Sequence, residues 1–399
     1  MKVLQINSVC GIGSTGRIAT DIHHILLEQG HESYIAYGRG QAINCENAIR
    51  IGTEFDNYTH VALTRLSDKH GFGSKKATKE FIKKVEKINP DVIHLHNIHG
   101  YYINIGVLFD YLKKVDKPVI WTLHDCWAFT GHCSHFDFIQ CDKWKKGCHL
   151  CPQKSEYPSS FLLDCSNLNY KKKMEIFTGV KNLTIITPSK WLANLVKGSF
   201  LKEYPIKVIN NGLDLEKFKP TISDFRMKYN IEKKSIILGI ANVWNTKKGI
   251  EYFLNLSEKV TKDKVIVLVG LTKKQIETLP QNIIGIRNLQ DVKGLVEIYS
   301  AADVFVNPTL EEVMGMTNIE ALACGVPVIT FDSGGCSENI DERCGILIKK
   351  ENRDQLSKAI ENLLHKGKSS YSNNCLKRAQ LYCKKDKYNE YISTYINSI

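Results

Sequence analysis

Short apolar runs rich in valine, isoleucine and leucine recur along the chain, each followed by a longer stretch whose apolar residues return at helical spacing. The first series is Lys2 to Ser8, Glu32 to Tyr37, Val92 to His96, Val119 to Leu123 and Leu183 to Pro188. A second series runs Ser235 to Ala241, Val265 to Gly270, Ile283 to Gly285, Val304 to Pro308, Val326 to Phe331 and Gly345 to Ile348. Strands that alternate with helices predict parallel sheets covered by helices. Between the series stands Asn210-Asn211-Gly212-Leu213-Asp214, a cluster of turn residues that suits a bend or linker. The expected fold class is therefore α/β, with Rossmann-like domains over residues 1–214 and 215–375. A helical tail, 376–399, has no strand partner and is expected to cross back to the first domain. Ligands of open parallel sheets bind beyond the carboxyl ends of the strands, so the active site is expected in a cleft between two facing domains.

Composition narrows the class. A chain of 399 residues exceeds one ordinary core, and 43% hydrophobic with 24% charged residues excludes a disordered chain. The opening MKVLQINSVCGIG reads as a first strand and not as a secretory leader. No window carries the roughly 18 apolar residues that a spanning helix needs. The 13 cysteines are odd in number, and Cys10 and Cys324 sit in apolar or helical contexts, which suits a reducing compartment. A cytoplasmic protein is expected, peripheral at the inner face if it meets a membrane. The +12 net charge favours anionic partners: phosphorylated ligands, anionic lipid or nucleic acid.

The richest segment is Asn307-Pro308-Thr309-Leu310-Glu311-Glu312-Val313-Met314-Gly315-Met316-Thr317-Asn318-Ile319-Glu320, continuing to Gly325 and a further strand. It reads as strand, acidic loop and a helix opening at about Gly315, whose free N–H groups and dipole favour a phosphate. Glu320 falls just over one turn into that helix, where a carboxylate can accept hydrogen bonds from ribose hydroxyls, and Glu312 can do the same for a sugar. Lys247-Lys248-Gly249 opens another helix after the strand ending at Ala241 and offers cations to a phosphate.

Taken together, Glu312 and Glu320, the Ser333-Gly334-Gly335 turn with Glu338, and Asn211-Gly212-Leu213-Asp214 resemble retaining glycosyltransferase family four, with its E-x7-E signature and GT-B fold. The resemblance covers most of the second domain and is thinner over the first. It implies that Glu312 contacts the donor sugar, Glu320 the ribose, the amides of Met316 and Thr317 beyond Gly315 the diphosphate, and Lys248 the donor phosphates. It also implies transfer with retention, without a metal cofactor, from a nucleotide-sugar to a glycan or lipid-linked glycan acceptor in surface polysaccharide synthesis. The chain departs from the family where an arginine commonly precedes that lysine by five residues, for Val243 stands there.

In the first half, Gly11-Ile12-Gly13-Ser14-Thr15-Gly16-Arg17 is a G-x-G-x-x-G between strand and helix. It admits a rival, an NADP-dependent oxidoreductase, although the second strand ends at Tyr37-Gly38-Arg39 without the acidic residue that holds an adenosine ribose. In the glycosyltransferase reading Gly13 and Gly16 face the cleft and Arg17 positions donor phosphate or acceptor. His124, beside Asp125 at the end of an apolar strand, is the matching residue for the family's sugar-contacting histidine. His94, His96 and His99 are read as hydrogen-bonded scaffold. Cys133, Cys141, Cys148 and Cys151, spaced C-x7-C-x6-C-x2-C, suit either a structural zinc or a cysteine-rich loop without metal, and the spacing leaves both open. Lys69 to Lys87 carries seven lysines against Glu80 and Glu86, with Ala77, Phe81, Val85 and Ile88 at helical spacing. That is an amphipathic helix whose basic face rests on anionic lipid or on water. A nucleic-acid-binding protein is the remaining rival, but the chain lacks the interleaved aromatic and basic motifs of a reader module, so no nucleic-acid partner is expected.

Overall fold

Both series of apolar runs form parallel sheets. The computed structural model describes residues 1–399 except Asn288 and Gln290. It divides into two units, Met1–Asn210 with Lys387–Ile399, and Asn211–Asp386.

The first unit contains β1 (Lys2–Asn7), α1 (Gly13–Glu28), β2 (Glu32–Tyr37), β3 (Ala48–Arg50), α2 (Glu54–Ser67), α3 (Lys75–Ile88), β4 (Val92–Leu95), α4 (Ile105–Leu112), β5 (Val119–Thr122), α5 (Ser166–Phe177), β6 (Leu183–Thr187), α6 (Lys190–Lys197) and β7 (Ile206–Val208). The strands lie in the order β3-β2-β1-β4-β5-β6-β7, all parallel. Because parallel neighbours need a crossover, a helix returns the chain between most successive strands. The sheet is covered on both faces, and Val3, Val92, Ile120 and Ile186 are buried. The edge strands β3 and β7 were not predicted. Each is three residues long and at best half-buried, so neither makes an apolar run.

The second unit contains α7 (Phe225–Lys228), β8 (Ser235–Ile240), α8 (Ile250–Ser257), β9 (Lys264–Val269), α9 (Lys273–Glu277), β10 (Ile283–Ile286), α10 (Val292–Ala301), β11 (Val304–Asn307), α11 (Met316–Ala323), β12 (Val328–Phe331), β13 (Gly345–Ile348), α12 (Arg353–Lys366) and α13 (Ser369–Gln380). Its order is β10-β9-β8-β11-β12-β13, again parallel throughout. Residues 211–214 fall with this unit because Leu213 bridges Cys383: its N–H donates to Tyr382 O at 2.8 Å, and Lys384 N–H donates to Leu213 O at 2.9 Å.

The last helix, α14 (Lys384–Ile396), ends among residues of the first unit. Tyr388, Tyr391, Ile392 and Tyr395 recur at i, i+3, i+4 and i+7, so they share one face, which is buried on Val3, Ile22, Val92 and Ile120. Fully burying an aliphatic side chain such as Ile392 contributes about 1.5–3 kcal/mol. Tyr395 Oη also meets His94 Nδ1 at 2.6 Å, tying α14 to β4.

The basic amphipathic segment is shorter than expected. It is helical only from Lys75, because Gly71 and Gly73 break the preceding turn and donate their N–H groups to His60 Nε2, both at 3.2 Å. Ala77, Phe81 and Val85 are its buried face, and its lysines are exposed.

Candidate active site

In each sheet the strand order reverses once, between β1 and β4 and between β8 and β11. The loops leaving the carboxyl ends of such a pair diverge and open a crevice. In the second unit these loops carry the motif residues. After β8, a short 3₁₀ turn over Thr246–Lys248 ends at Gly249, whose φ is +75°. A Cβ there would stand 2.2 Å from Pro308 O, so only glycine lets the lysine loop close on the loop after β11. Leu310 N–H completes the join by donating to Lys247 O at 2.8 Å.

That closure brings the charges together. Lys248 Nζ donates to Glu312 Oε2 at 2.7 Å, and Lys247 Nζ lies 3.7 Å from Glu311 Oε1. Burial works to lower the Lys248 pKa, but the Glu312 charge and hydrogen bond outweigh it and hold the ammonium above its ordinary value. Glu312 also accepts from Val313 N–H at 3.1 Å, and its carbonyl accepts from Gly335 N–H at 3.2 Å. The Gly-Gly turn is needed for that approach, since a Cβ on Gly334 would fall 1.5 Å from Glu312 O.

α11 opens directly beyond this pair. Gly315 at its N-cap lends no side chain to the first amides, and no acidic residue occupies the first turn. An anion placed there gains the unsatisfied N–H groups and the positive end of the helix dipole. Glu320, on the second turn and half-buried, accepts from the buried Tyr299 hydroxyl at 2.9 Å. Val243, where the resemblance asks for arginine, is exposed and adds no charge.

Several residues that hold this site carry no sequence signal. Asn339 Nδ2 donates to Met314 O and, at 3.0 Å, to Gly315 O, while Asn307 Nδ2 donates to Asn318 Oδ1 at 2.8 Å. Arg378 Nη2 donates to Glu338 O at 2.6 Å and its Nε to Asn339 O at 3.0 Å. These contacts join residues distant in the chain, and neither spacing nor periodicity announces them.

In the first unit, Gly13, Gly16 and Arg17 lie at the start of α1, beyond β1, with Arg17 exposed. A small pocket beyond β4 and β5 is lined by His96, Asn97, His99, Thr122, His124 and Asp125. His124 stacks on His96, ring centroids 5.4 Å apart, with Nε2 3.1 Å from His96 Nδ1. The network fixes the tautomers. Gln5 Nε2 donates to Ala19 O at 2.9 Å, so its Oε1 must accept from His96 Nε2 at 3.0 Å. Neutral His96 then accepts at Nδ1 from His124 Nε2–H, which leaves His124 Nδ1 as a bare acceptor. Burial drives the His124 pKa down to about 4, although Asp125 opposes it, and burial drives His96 well down too, so both rings are neutral at pH 7. His99 Nε2 stands 2.9 Å from Asp125 Oδ2. Burial raises the Asp125 carboxyl, but His99 and the Trp127 amide pull it to about 2. His99, read as scaffold, is thus one half of a carboxylate–imidazole pair beside His124.

Cys133, Cys141, Cys148 and Cys151 line one further pocket with His132 and His149. All four are free thiols. Cys133 and Cys151 share a hydrogen bond, and Cys148 Sγ accepts from Gly131 N–H at 3.2 Å. Among the described residues, no three His, Cys, Asp or Glu side chains stand in an arrangement that could hold a metal ion. Nearby, the fully buried Lys173 donates to Trp127 O at 2.8 Å and Thr130 O at 3.1 Å, and desolvation lowers its pKa to about 7.

Two parallel-sheet α/β domains of this topology are those of the GT-B glycosyltransferases, and the chain is a glycosyltransferase. It belongs to Glycosyltransferase Family 4, which residues 15–217 match, while residues 234–366 match Glycosyl transferases group 1. WcaC of Escherichia coli (strain K12), named as a colanic acid biosynthesis glycosyl transferase, is 25% identical over 378 residues, 89% of either chain. The N,N'-diacetylbacillosaminyl-diphospho-undecaprenol alpha-1,3-N-acetylgalactosaminyltransferase of Campylobacter jejuni is 32% identical over 185 residues, 43% of this chain and 48% of its own. Sucrose-phosphate synthase from Thermosynechococcus elongatus superposes with a TM-score of 0.72 at 18% identity, covering 100% of this chain and 99% of that one. Anabaena HepE in complex with UDP-glucose gives 0.69 at 15% identity over 100% of both. At such identities these likenesses establish the fold. Family membership leaves the oxidoreductase and nucleic-acid readings without support. Among the described residues no helix is long and apolar enough to cross a membrane.

Proposed function

We propose that the chain transfers a sugar, with retention at the anomeric carbon, from a nucleotide-sugar to a glycan or lipid-linked glycan acceptor in the synthesis of a surface polysaccharide. The observation that carries the donor half is the Lys248–Glu312 pair at 2.7 Å beside the uncapped start of α11. An incoming diphosphate offers Lys248 a better-placed anion, held also by the amides of Met316 and Thr317, and frees Glu312 to accept from sugar hydroxyls. Glu320, oriented by Tyr299, takes the ribose. Leaving-group charge that grows in the transition state is met by fixed N–H dipoles and an ammonium, which act without a divalent ion.

His124, with a bare Nδ1, accepts a hydrogen bond from a hydroxyl of the transferred sugar. Arg17 at the start of α1 positions donor phosphate or acceptor. The undecaprenol-linked substrate in the Campylobacter relative's name supports a lipid-linked acceptor here, the name of the E. coli relative supports a polysaccharide product, and the exposed lysines of α3 support work at an anionic membrane surface. For Cys133, Cys141, Cys148 and Cys151 we propose a structural role, so chelation should leave nucleotide binding intact whether or not the purified protein carries zinc.

The test is a panel of UDP- and GDP-sugars offered with free and lipid-linked glycans. The expected result is transfer from one donor, with the product anomer matching the donor's and a rate unchanged by EDTA. An inverted anomer, or strict dependence on magnesium or manganese, would remove the proposal.

A further inference from the structure

α2 turns its largest apolar side chains outward. Its buried residues are the polar His60 and Thr64, satisfied locally: His60 Nδ1 lies 3.0 Å from Ser74 Oγ, and Thr64 Oγ1 donates to His60 O at 2.9 Å. Among its apolar residues Val61 and Leu63 are half-buried, but Phe55, Tyr58 and Leu66 are 75%, 71% and 55% exposed, and with exposed Ala62 between them they follow helical spacing along one stripe. An amphipathic helix in a soluble domain turns that stripe to the core. A second exposed apolar feature adjoins it. Phe161, Leu162 and Leu163 are consecutive and 67%, 66% and 52% exposed. Phe161 N–H donates to Arg65 O at 2.7 Å, Arg65 Nη1 donates to Ser159 O at 3.2 Å, and the Arg65 guanidinium lies over the Phe161 ring at 5.2 Å. The loop is thus fastened to α2, and both features belong to the first unit.

Cations flank the patch. Arg65 sits within it, Lys154 Nζ donates to Leu162 O at 3.4 Å, and Lys69 and Lys172 stand beside Cys165 a few residues on. The exposed acids nearby are Glu54, Glu156 and Asp164, and Asp164 is engaged by the amides of Cys151 and Ser166 at 2.6 and 2.9 Å. α3, which follows α2 and is pinned to it by the His60–Ser74 contact, adds six exposed lysines: Lys75, Lys76, Lys79, Lys83, Lys84 and Lys87.

We propose that α2 and residues 159–163 form a membrane-docking surface whose occupant is an anionic lipid bilayer. Phe55, Tyr58, Leu66, Phe161, Leu162 and Leu163 enter the boundary between headgroups and acyl chains while the surrounding lysines and Arg65 meet the lipid phosphates. Apolar side chains ringed by cations fit that boundary, where burial of apolar area and attraction to anionic headgroups act together. The inference deepens the lipid-linked acceptor reading and rests on it only for its purpose.

The test is co-sedimentation of the full chain with phosphatidylglycerol–phosphatidylcholine vesicles and with phosphatidylcholine alone, together with release of nucleotide from the donor in solution. The expected result is binding to the anionic vesicles, lowered ~10-fold or more by F161D/L162D and by F55D/L66D, and by a smaller factor by K69E/K172E, with donor hydrolysis unchanged. No anionic-vesicle binding by the wild type, equal binding by the variants, or equal binding to neutral vesicles would overturn it. So would light scattering that shows a dimer which these variants dissociate, since the occupant is then a second copy. Vesicle binding with the expected variant losses but no transfer to a lipid-linked acceptor keeps the docking surface and removes the acceptor reading. No vesicle binding by the wild type alongside transfer to a lipid-linked acceptor does the reverse.

Discussion

Beyond β8 and β11, the second sheet holds an ammonium against a carboxylate at 2.7 Å; beyond β4 and β5, the first sheet holds imidazole against imidazole at 3.1 Å. The topologies are alike, the imidazoles stand one strand over from the point where their sheet reverses, and the chemistry differs in kind. All but one of the 13 histidines lie in the first unit, and the exception, His365, is exposed on α12. A charged pair suits a ligand that brings its own charge, because an arriving phosphate exchanges one ionic partner for another. A neutral relay suits a ligand of hydroxyls, because each ring presents one donor and one acceptor. Under the proposed function the second unit takes the nucleotide, and the first adds, at His124, an acceptor for a sugar hydroxyl.

The hardest blow to that division comes from the lysine. Lys248→Ala should lower kcat/KM by about 10²–10³-fold, the scale seen when one preorganised group that stabilises developing charge is removed. With Val243 adding no charge, few cations share the load. A rate within threefold of wild type would show that the phosphates are met elsewhere. Glu320→Gln comes next. A hydrogen bond to a charged group contributes about 1.5–3 kcal/mol, so nucleotide affinity should fall roughly 10- to 150-fold while the melting temperature stays put. Isothermal titration with the free nucleoside diphosphate reads it, and unchanged affinity would separate Glu320 from the ribose.

Acid should divide the units in a different way. Burial holds the His60 and His124 pKa values at about 4 in the folded chain, against an ordinary value of about 6.5. Between those values the unfolded chain binds protons that the folded one refuses, so stability is full above pH 6.5 and is lost as pH falls towards 4. His70, His94 and His96, also held well down by burial, add in the same direction. Hydrogen exchange between pH 7 and 5 should therefore show amides of β4 and β5 losing protection before those of β8 and β11. Loss in the opposite order would mean that the imidazoles are not what separates the two sheets.

Much of this was legible in the residues. The strand runs are long, apolar and bounded by turns, so both sheets could be read, and the spacing of Glu312, Glu320 and the Gly-Gly turn marked the loops that the proposed function gives to the donor. The edge strands β3 and β7 could not be read, because three half-buried residues make no pattern. Nor could the braces Asn339, Arg378 and Tyr299, whose partners lie 21 to 40 residues away along the chain. The His99–Asp125 pair and the Gln5–His96–His124 relay join β1, β4 and β5 through contacts that only the parallel register creates. The exposed stripe of α2 was missed for another reason: helical periodicity says that apolar residues share a face and is silent on whether that face is turned inward.

The finest test of the comparison is the Tyr299 hydroxyl. It is buried and donates to Glu320 Oε2 at 2.9 Å, so it orients the carboxylate without reaching the ribose through any contact of its own. Tyr299→Phe keeps the ring and its packing on Phe305 and removes one hydrogen bond, which on average contributes about 1 kcal/mol. Nucleotide affinity should then fall only about fivefold, well short of the Glu320→Gln loss. The two changes should not add: once the carboxylate is an amide, the hydroxyl has little left to orient, and a double-mutant cycle should return a coupling of about 0.5–1 kcal/mol. Additive losses would mean that Tyr299 acts on the nucleotide by some other route than Glu320. A Tyr299→Phe loss as large as that of Glu320→Gln would mean that the carboxylate's charge matters less than its aim, and the second unit would then work by orientation, as the first does.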